Sequence, residues 1–281
     1  MRINKYLSHH TNYSRREADV LIKDGRVKLE NKVITDMSFD VHSGDKIFID
    51  KKIVKPRTNY TVIVYNKKRG ELTTTKDPMN RKTIFDTLPR KFAHFLPIGR
   101  LDFSSEGLLL LTDAPRIATA LMTSTLPRTY NVKIDGFVRE EMLTAMEEGI
   151  TIEGNKGAFK DTKIRVMTLE PFLSYQVSKS TATYSRLKVS IGEGKNRELR
   201  RFFGNFDREV LDLKRVSYGE FSLNNLPSGK TRYLTNKEYD YLRTIVDKEK
   251  SSKKSKKSAP EPVYEEFTVM TPDKEGGDRL Q

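Results

Sequence analysis

Gly99-Arg100-Leu101-Asp102-Phe103-Ser104-Ser105-Glu106-Gly107-Leu108-Leu109-Leu110-Leu111-Thr112-Asp113 sets one carboxylate, flanked by an arginine and two serine hydroxyls, in a gap between two apolar runs. Leu96-Pro97-Ile98 leads in, and four consecutive leucines lead out. Apolar runs bounded by glycine read as buried strands. A connection between buried strands that carries Arg, Asp and Ser is a common place for chemistry. Arg100 and Asp102 share strand parity, which predicts that both point to one side. Taken alone, an Arg-x-Asp pair in a loop is more often a solvated ion pair, so the rest of the chain decides its meaning.

The 281 residues hold 52 Lys+Arg against 38 Asp+Glu, a net charge of +14. An excess of that size speaks about partners rather than fold, and polyanions are the expected ones. The absence of cysteine excludes disulfides and thiolate metal sites, and His9, His10, His42 and His94 show no ligand spacing. No metal is expected. The N-terminus lacks the apolar run of a signal peptide, and no segment approaches the roughly 20 apolar residues needed to cross a bilayer. A cytoplasmic protein without a membrane partner is expected.

Three regions separate on composition. Lys55-Pro56-Arg57-Thr58-Asn59 reads as a linker, dividing residues 1–57 from 58–247. From Lys248 the chain is too poor in apolar residues to fold, so 248–281 reads as a disordered charged tail. In the first region, Ser14-Arg15-Arg16-Glu17 forms a capping box that opens a helix with Ala18, Leu21 and Ile22 as its apolar face and Gly25 as its stop. Arg26-Val27-Lys28-Leu29 then alternates as a strand, turns at Glu30-Asn31-Lys32 and pairs back through Val33-Ile34. Residues 1–57 carry 13 Lys+Arg against 8 Asp+Glu, a net of +5. Two arginines beside a helix N-terminus attract phosphate through dipole, backbone donors and side chains together.

These residues resemble the S4 RNA-binding domain: Leu7, Ser14-Arg15-Arg16-Glu17-Ala18, Gly25, Val27 and Leu29 fit its pattern. Asn31 follows Glu30 where the family has Asn-Gly, a departure that asparagine's tolerance of the left-handed region softens. The resemblance implies binding of structured RNA, with Arg2, Lys5, Arg15, Arg16, Arg26 and Lys28 as candidate contacts.

In the central region, strand patterns at 61–65, 128–134, 185–191 and 210–216 interleave with helices at 115–124, 140–148, 197–206 and 236–247. Many strands among few helices predict an α+β domain on an extended mixed sheet. Gly99-Arg100-Leu101-Asp102-x-x-Ser105-x-Gly107 resembles the signature of the RsuA/RluB group of pseudouridine synthases, which modify ribosomal RNA. Asn66-Lys67-x-x-Gly70, Arg128-Thr129-Tyr130-x-Val132, Gly194-Lys195-Asn196-Arg197-Glu198-Leu199-Arg200-Arg201-Phe202 and Leu213-x-Arg215-Val216 follow in the family's order. The family's sheet is mainly antiparallel. The resemblance implies that Asp102 is catalytic, that Arg200 pairs with it (Arg197 and Arg201 being competing candidates), and that Tyr130 and Leu199 hold the two faces of the target base. Arg100, on the same side as Asp102 by strand parity, is expected to fill the space left when the uridine leaves its stack. Isomerisation involves no redox change and no group leaves the RNA, so no cofactor is expected. Asn196-Arg197-Glu198 and Gly70-Glu71-Leu72 look most like the 23S rRNA branch. A 16S substrate, or a non-catalytic ribosome assembly factor, is the alternative. A monomer is expected. Two residues depart from the family's pattern: Lys68 replaces a proline, and Glu198 replaces a glutamine beside the expected site.

Overall fold

The computed structural model describes residues 1–56, 59–159 and 162–257. At the N-terminus, α1 (Ile3–His10) and α2 (Arg15–Lys23) pack on a small antiparallel sheet of β1 (Val27–Leu29), β2 (Lys32–Val33), β3 (Ile47–Ile49) and β4 (Lys52–Ile53), in the order β2-β1-β3-β4. The capping box forms as expected: Ser14 Oγ accepts the Glu17 N–H at 3.2 Å, and Glu17 Oε2 accepts the Ser14 N–H at 2.7 Å. Ile3, Leu7, Ala18, Leu21, Ile22, Val27 and Ile47 close the core beneath it. Leu29 faces Lys32 across the ladder, so the hairpin loop is Glu30-Asn31. The positive φ of 51° falls on Glu30 rather than Asn31. Only the first loop position takes a positive φ.

The second domain contains β5 (Val62–Lys67), β6 (Leu96–Pro97), β7 (Glu106–Thr112), α3 (Pro115–Met122), β8 (Arg128–Asp135), α4 (Glu140–Glu148), β9 (Ile150–Glu153), β10 (Val166–Leu169), β11 (Ser174–Ser180), β12 (Tyr184–Ile191), α5 (Glu198–Asn205), β13 (Val210–Tyr218), β14 (Phe221–Ser222), β15 (Thr231–Tyr233) and α6 (Asn236–Lys257). The main sheet runs β11-β12-β8-β13-β7-β5-β15, with β14 and β6 attached to β13 and β7. The β13–β7 contact is parallel and the other described pairs are antiparallel, which makes an α+β domain on a mixed, mainly antiparallel sheet.

The four leucines explain how the sheet is covered. Leu109 and Leu111 join Ile63 and Tyr65 in the core on one face, while Leu108 and Leu110 join Val62 and Val64 in the core on the other. Alternate side chains of a strand point to opposite faces, so an unbroken apolar run fits only a strand buried on both sides. Each such leucine contributes about 1.5–3 kcal/mol of burial.

Two sequence expectations shift. The segment 150–180 holds three strands that no apolar run announces. Helix α6 continues to Lys257, ten residues beyond the expected boundary of the tail, and the remainder of that tail, 258–281, lies outside the described residues. Among the described residues no helix is long and apolar enough to cross a membrane.

Candidate active site

Asp102 lies not on a strand but on a loop, 98–105, between β6 and β7. The strand-parity argument for Arg100 and Asp102 therefore does not apply, because glycine at 99, with φ +74°, turns the chain out of the sheet before Arg100. Five consecutive carbonyls of this loop accept hydrogen bonds from distant groups. Thr73 Oγ1 donates to Leu101 O at 2.9 Å, and Gly70 N–H donates to Phe103 O at 2.7 Å. Lys67 Nζ donates to both Asp102 O at 3.1 Å and Ser105 O at 2.8 Å, and Arg200 Nη2 to Ser104 O at 3.1 Å. Satisfied on these five carbonyls, the loop holds its carboxylate in one place.

Asp102 faces a cavity of about 530 Å³ whose walls include Arg100, Tyr130, Arg197, Leu199 and Arg215. Tyr130 on β8 and Leu199 on α5 are buried among the core residues that back this wall. Arg100 is exposed and makes no ion pair among the described residues. Arg200 does not reach the cavity. It stands behind the loop, donating to Val210 O at 2.9 Å and Ser104 O, with its Nε 3.9 Å from Asp102 Oδ2. Arg197 comes closer, its Nη1 lying 3.4 Å from the same oxygen. Two cations thus face Asp102, the nearer being Arg197. Arg201, the third arginine of the run, points away and donates to Gly154 O. Burial pushes the Arg200 guanidinium below its ordinary value, Arg197 adds to that push, and Asp102 opposes it.

A model of the RNA pseudouridylate synthase family matches residues 61–205, and an S4 domain model matches residues 1–47. The chain belongs to the RNA pseudouridylate synthase family. It is 48% identical over 249 residues to an RNA pseudouridine synthase of Helicobacter pylori, covering 88% of this chain and 95% of that protein. It is 34% identical over 253 residues to the ribosomal large subunit pseudouridine synthase B of Bacillus subtilis, covering 89% and 99%. A crystal structure of a pseudouridylate synthase superposes with a TM-score of 0.58 at 22% identity, over 86% of this chain and 99% of that one, and shares the fold. The protein is therefore an isomerase carrying an S4 RNA-binding domain.

On the S4 domain of the synthase, Arg2, Arg15 and Arg16 are exposed and Lys5 and Lys28 are half-buried. Arg26 is already engaged in an ion pair with Asp50. Glu198, whose orientation the sequence leaves open, is buried at the cavity wall and accepts the Lys195 N–H at 2.7 Å, closing the start of α5. Burial pushes its carboxyl above the usual carboxylate range, partly offset by that backbone bond.

The sequence gives no special role to Lys67 or Thr73. Lys67 is fully buried, its ammonium bonded to three carbonyls, those of Lys68, Asp102 and Ser105. A lysine at the end of an apolar strand, followed by Lys68 and Arg69, reads as surface, and only the fold turns it inward. Burial pushes Lys67 down to about 8. The folded synthase then binds fewer protons than the unfolded chain between pH 8 and the ordinary lysine range, so its stability should rise with pH across that window. Urea denaturation at pH 8 and pH 10 should show the wild type gaining on Lys67→Met as pH rises. The variant should also turn over about 10- to 100-fold more slowly, because a loosened loop misplaces Asp102. Equal rates would show that Lys67 does not brace the loop.

Proposed function

We propose that this synthase converts a specific uridine of large-subunit (23S) ribosomal RNA to pseudouridine, with Asp102 as the catalytic carboxylate and without a cofactor. The observation that carries this reading is one cavity of nucleoside size lined together by Asp102, Tyr130, Leu199 and Arg197. Asp102 acts at the ribose C1′–N1 bond, as nucleophile or as the charge that stabilises its breaking. Tyr130 and Leu199 hold the faces of the uracil as it turns. The new bond joins C1′ to C5, the C5 proton departs with the help of a nearby base, and N1 ends protonated, so atoms and electrons balance within the nucleotide. Arg100, exposed at the mouth of the cavity, is placed to occupy the gap left by a base drawn out of its stack.

The 23S assignment rests on the relatives named large-subunit synthases, together with the residues around Asn196 and Gly70. Pseudouridine mapping of 23S and 16S rRNA from cells with and without the gene tests the substrate. A missing 23S position supports the proposal, and a missing 16S position with 23S unchanged overturns it.

Residues 1–57 dock the RNA in this reading, through Arg15 and Arg16 at the α2 N-terminus and the neighbouring cations. Arg15→Ala combined with Arg16→Ala should weaken binding and flatten the log–log salt dependence by about 1.5 to 2, as two lost phosphate contacts require. An unchanged slope in a filter-binding series would remove these arginines from the interface.

A further inference from the structure

The loop joining β9 to β10 sits on the start of α5, and its described part touches the residues around Asp102 from one side. Gly154 O accepts Arg201 Nη2 at 3.1 Å, Gly157 O accepts Arg197 Nε at 2.7 Å, and the Phe159 ring lies 4.5 Å from the Arg197 guanidinium. Position 157 admits only glycine: φ is +70°, and a Cβ would stand 2.0 Å from Arg200 O. Lys156 pairs with Asp207 just past the other end of α5. The loop is therefore seated on the helix by several independent contacts.

Arg197 is where that seating meets the site. Its backbone takes the left-handed conformation, φ 50°, at the residue before α5. From there its side chain passes between loop and cavity. Nε is fixed by Gly157 O and one face by the Phe159 ring, which leaves Nη1 directed at Asp102 Oδ2, 3.4 Å away. An arginine has four side-chain torsions, and besides the pair with Asp102 itself these two contacts are what fixes them among the described residues. The Phe159 ring itself is 53% exposed, so it serves no core.

We propose that the Gly154–Phe159 loop is a positioning element for the isomerisation, with Gly157 and Phe159 acting through Arg197 to keep its guanidinium on the Asp102 carboxylate. This rests on Asp102 being the catalytic carboxylate. Phe159 and Gly157 are positioning residues that do not line the cavity, and Arg197 is the arm they aim. Loss of the ring frees the arm, while loss of the arm makes the ring irrelevant.

A double-mutant cycle on the full-length synthase tests this, measuring kcat and KM separately on an rRNA substrate. Phe159→Ala should lower kcat roughly two- to fivefold, the worth of an exposed cation–π contact, with KM unchanged. Phe159→Trp, which keeps a ring under the guanidinium, should restore it. Arg197→Gln should lower kcat further, and adding Phe159→Ala to it should cost nothing more, because the two act as one unit. Arg197→Met, which also removes the cation, serves in place of Gln should the latter fail to fold. The inference is overturned if Phe159→Ala costs the same factor in both backgrounds, if it changes KM alone, or if Arg197→Gln keeps the wild-type kcat. An active Asp102→Asn enzyme would instead overturn the role of Asp102. An inactive one alongside an unimpaired Arg197→Gln would overturn only the role of the loop.

Discussion

Asp102→Asn should abolish pseudouridine formation, by about 10⁴-fold or more, since a neutral amide can serve neither as nucleophile nor as base nor as counter-charge. The substitution preserves shape, and the loop is held through its carbonyls rather than through the Asp102 side chain. Arg200 keeps its bonds to Val210 O and Ser104 O, and Arg197 keeps Gly157 O. The carboxylate is about a quarter exposed, so the lost ion pairs should change stability by no more than about 1 kcal/mol. With docking assigned to the S4 domain as proposed, RNA affinity should stay within about twofold of wild type. Quantifying pseudouridine after incubation with rRNA transcripts, next to a binding isotherm, separates these effects. Residual isomerisation within tenfold of wild type would show that another group does the chemistry.

The second large effect is expected at Gly107, the second residue of β7. Its φ is +103°, and a Cβ there would stand 2.2 Å from the Arg215 carbonyl oxygen and 2.8 Å from the Arg215 nitrogen. Both obstacles are backbone atoms of β13, which is itself anchored to β8, so neither can swing aside. The β7–β13 contact rests on two register positions, Lys214 against Glu106 and Arg215 against Gly107. It also joins two halves of the sheet. The β5–β7 half carries the Asp102 loop, and the β8–β13 half carries Tyr130. Gly107→Ala should therefore cost about 3–5 kcal/mol, combining backbone strain with overpacking, and should slow turnover by separating the two sides of the cavity. Chemical denaturation reads the first effect and single-turnover kinetics the second. A variant within 1 kcal/mol of wild type would mean that the strands part without penalty, against the geometry.

Much of this was legible in local sequence. The Ser14–Glu17 capping box, the Pro115 helix start and the bounds of α4 follow from signals confined to one turn of chain. The run Leu108–Leu111 shows a strand buried on both faces for the same reason, since burial of alternate side chains is written in consecutive residues. β9, β10 and β11 were not legible. Most side chains of β11, Ser174–Ser180, face water, and the apolar face of this edge strand is only Tyr175 and Val177, too short a period to stand out.

The sequence by itself settles that a lone aspartate sits between two apolar runs, that an arginine-rich stretch follows 95 residues later, and that the chain's charge suits a polyanion. Which arginine meets that aspartate is decided by the tertiary structure alone. Arg197, Arg200 and Arg201 lie within five residues: Arg197 stands nearest Asp102, Arg200 pairs with it from behind while bonding the Ser104 carbonyl, and Arg201 reaches the Gly154 carbonyl. The divergence comes from the left-handed turn at Arg197 and from a loop forty residues earlier that holds two of the three. Spacing along a helix fixes the face from which a side chain leaves. Only the packing of distant segments fixes where four rotatable bonds later its charge comes to rest.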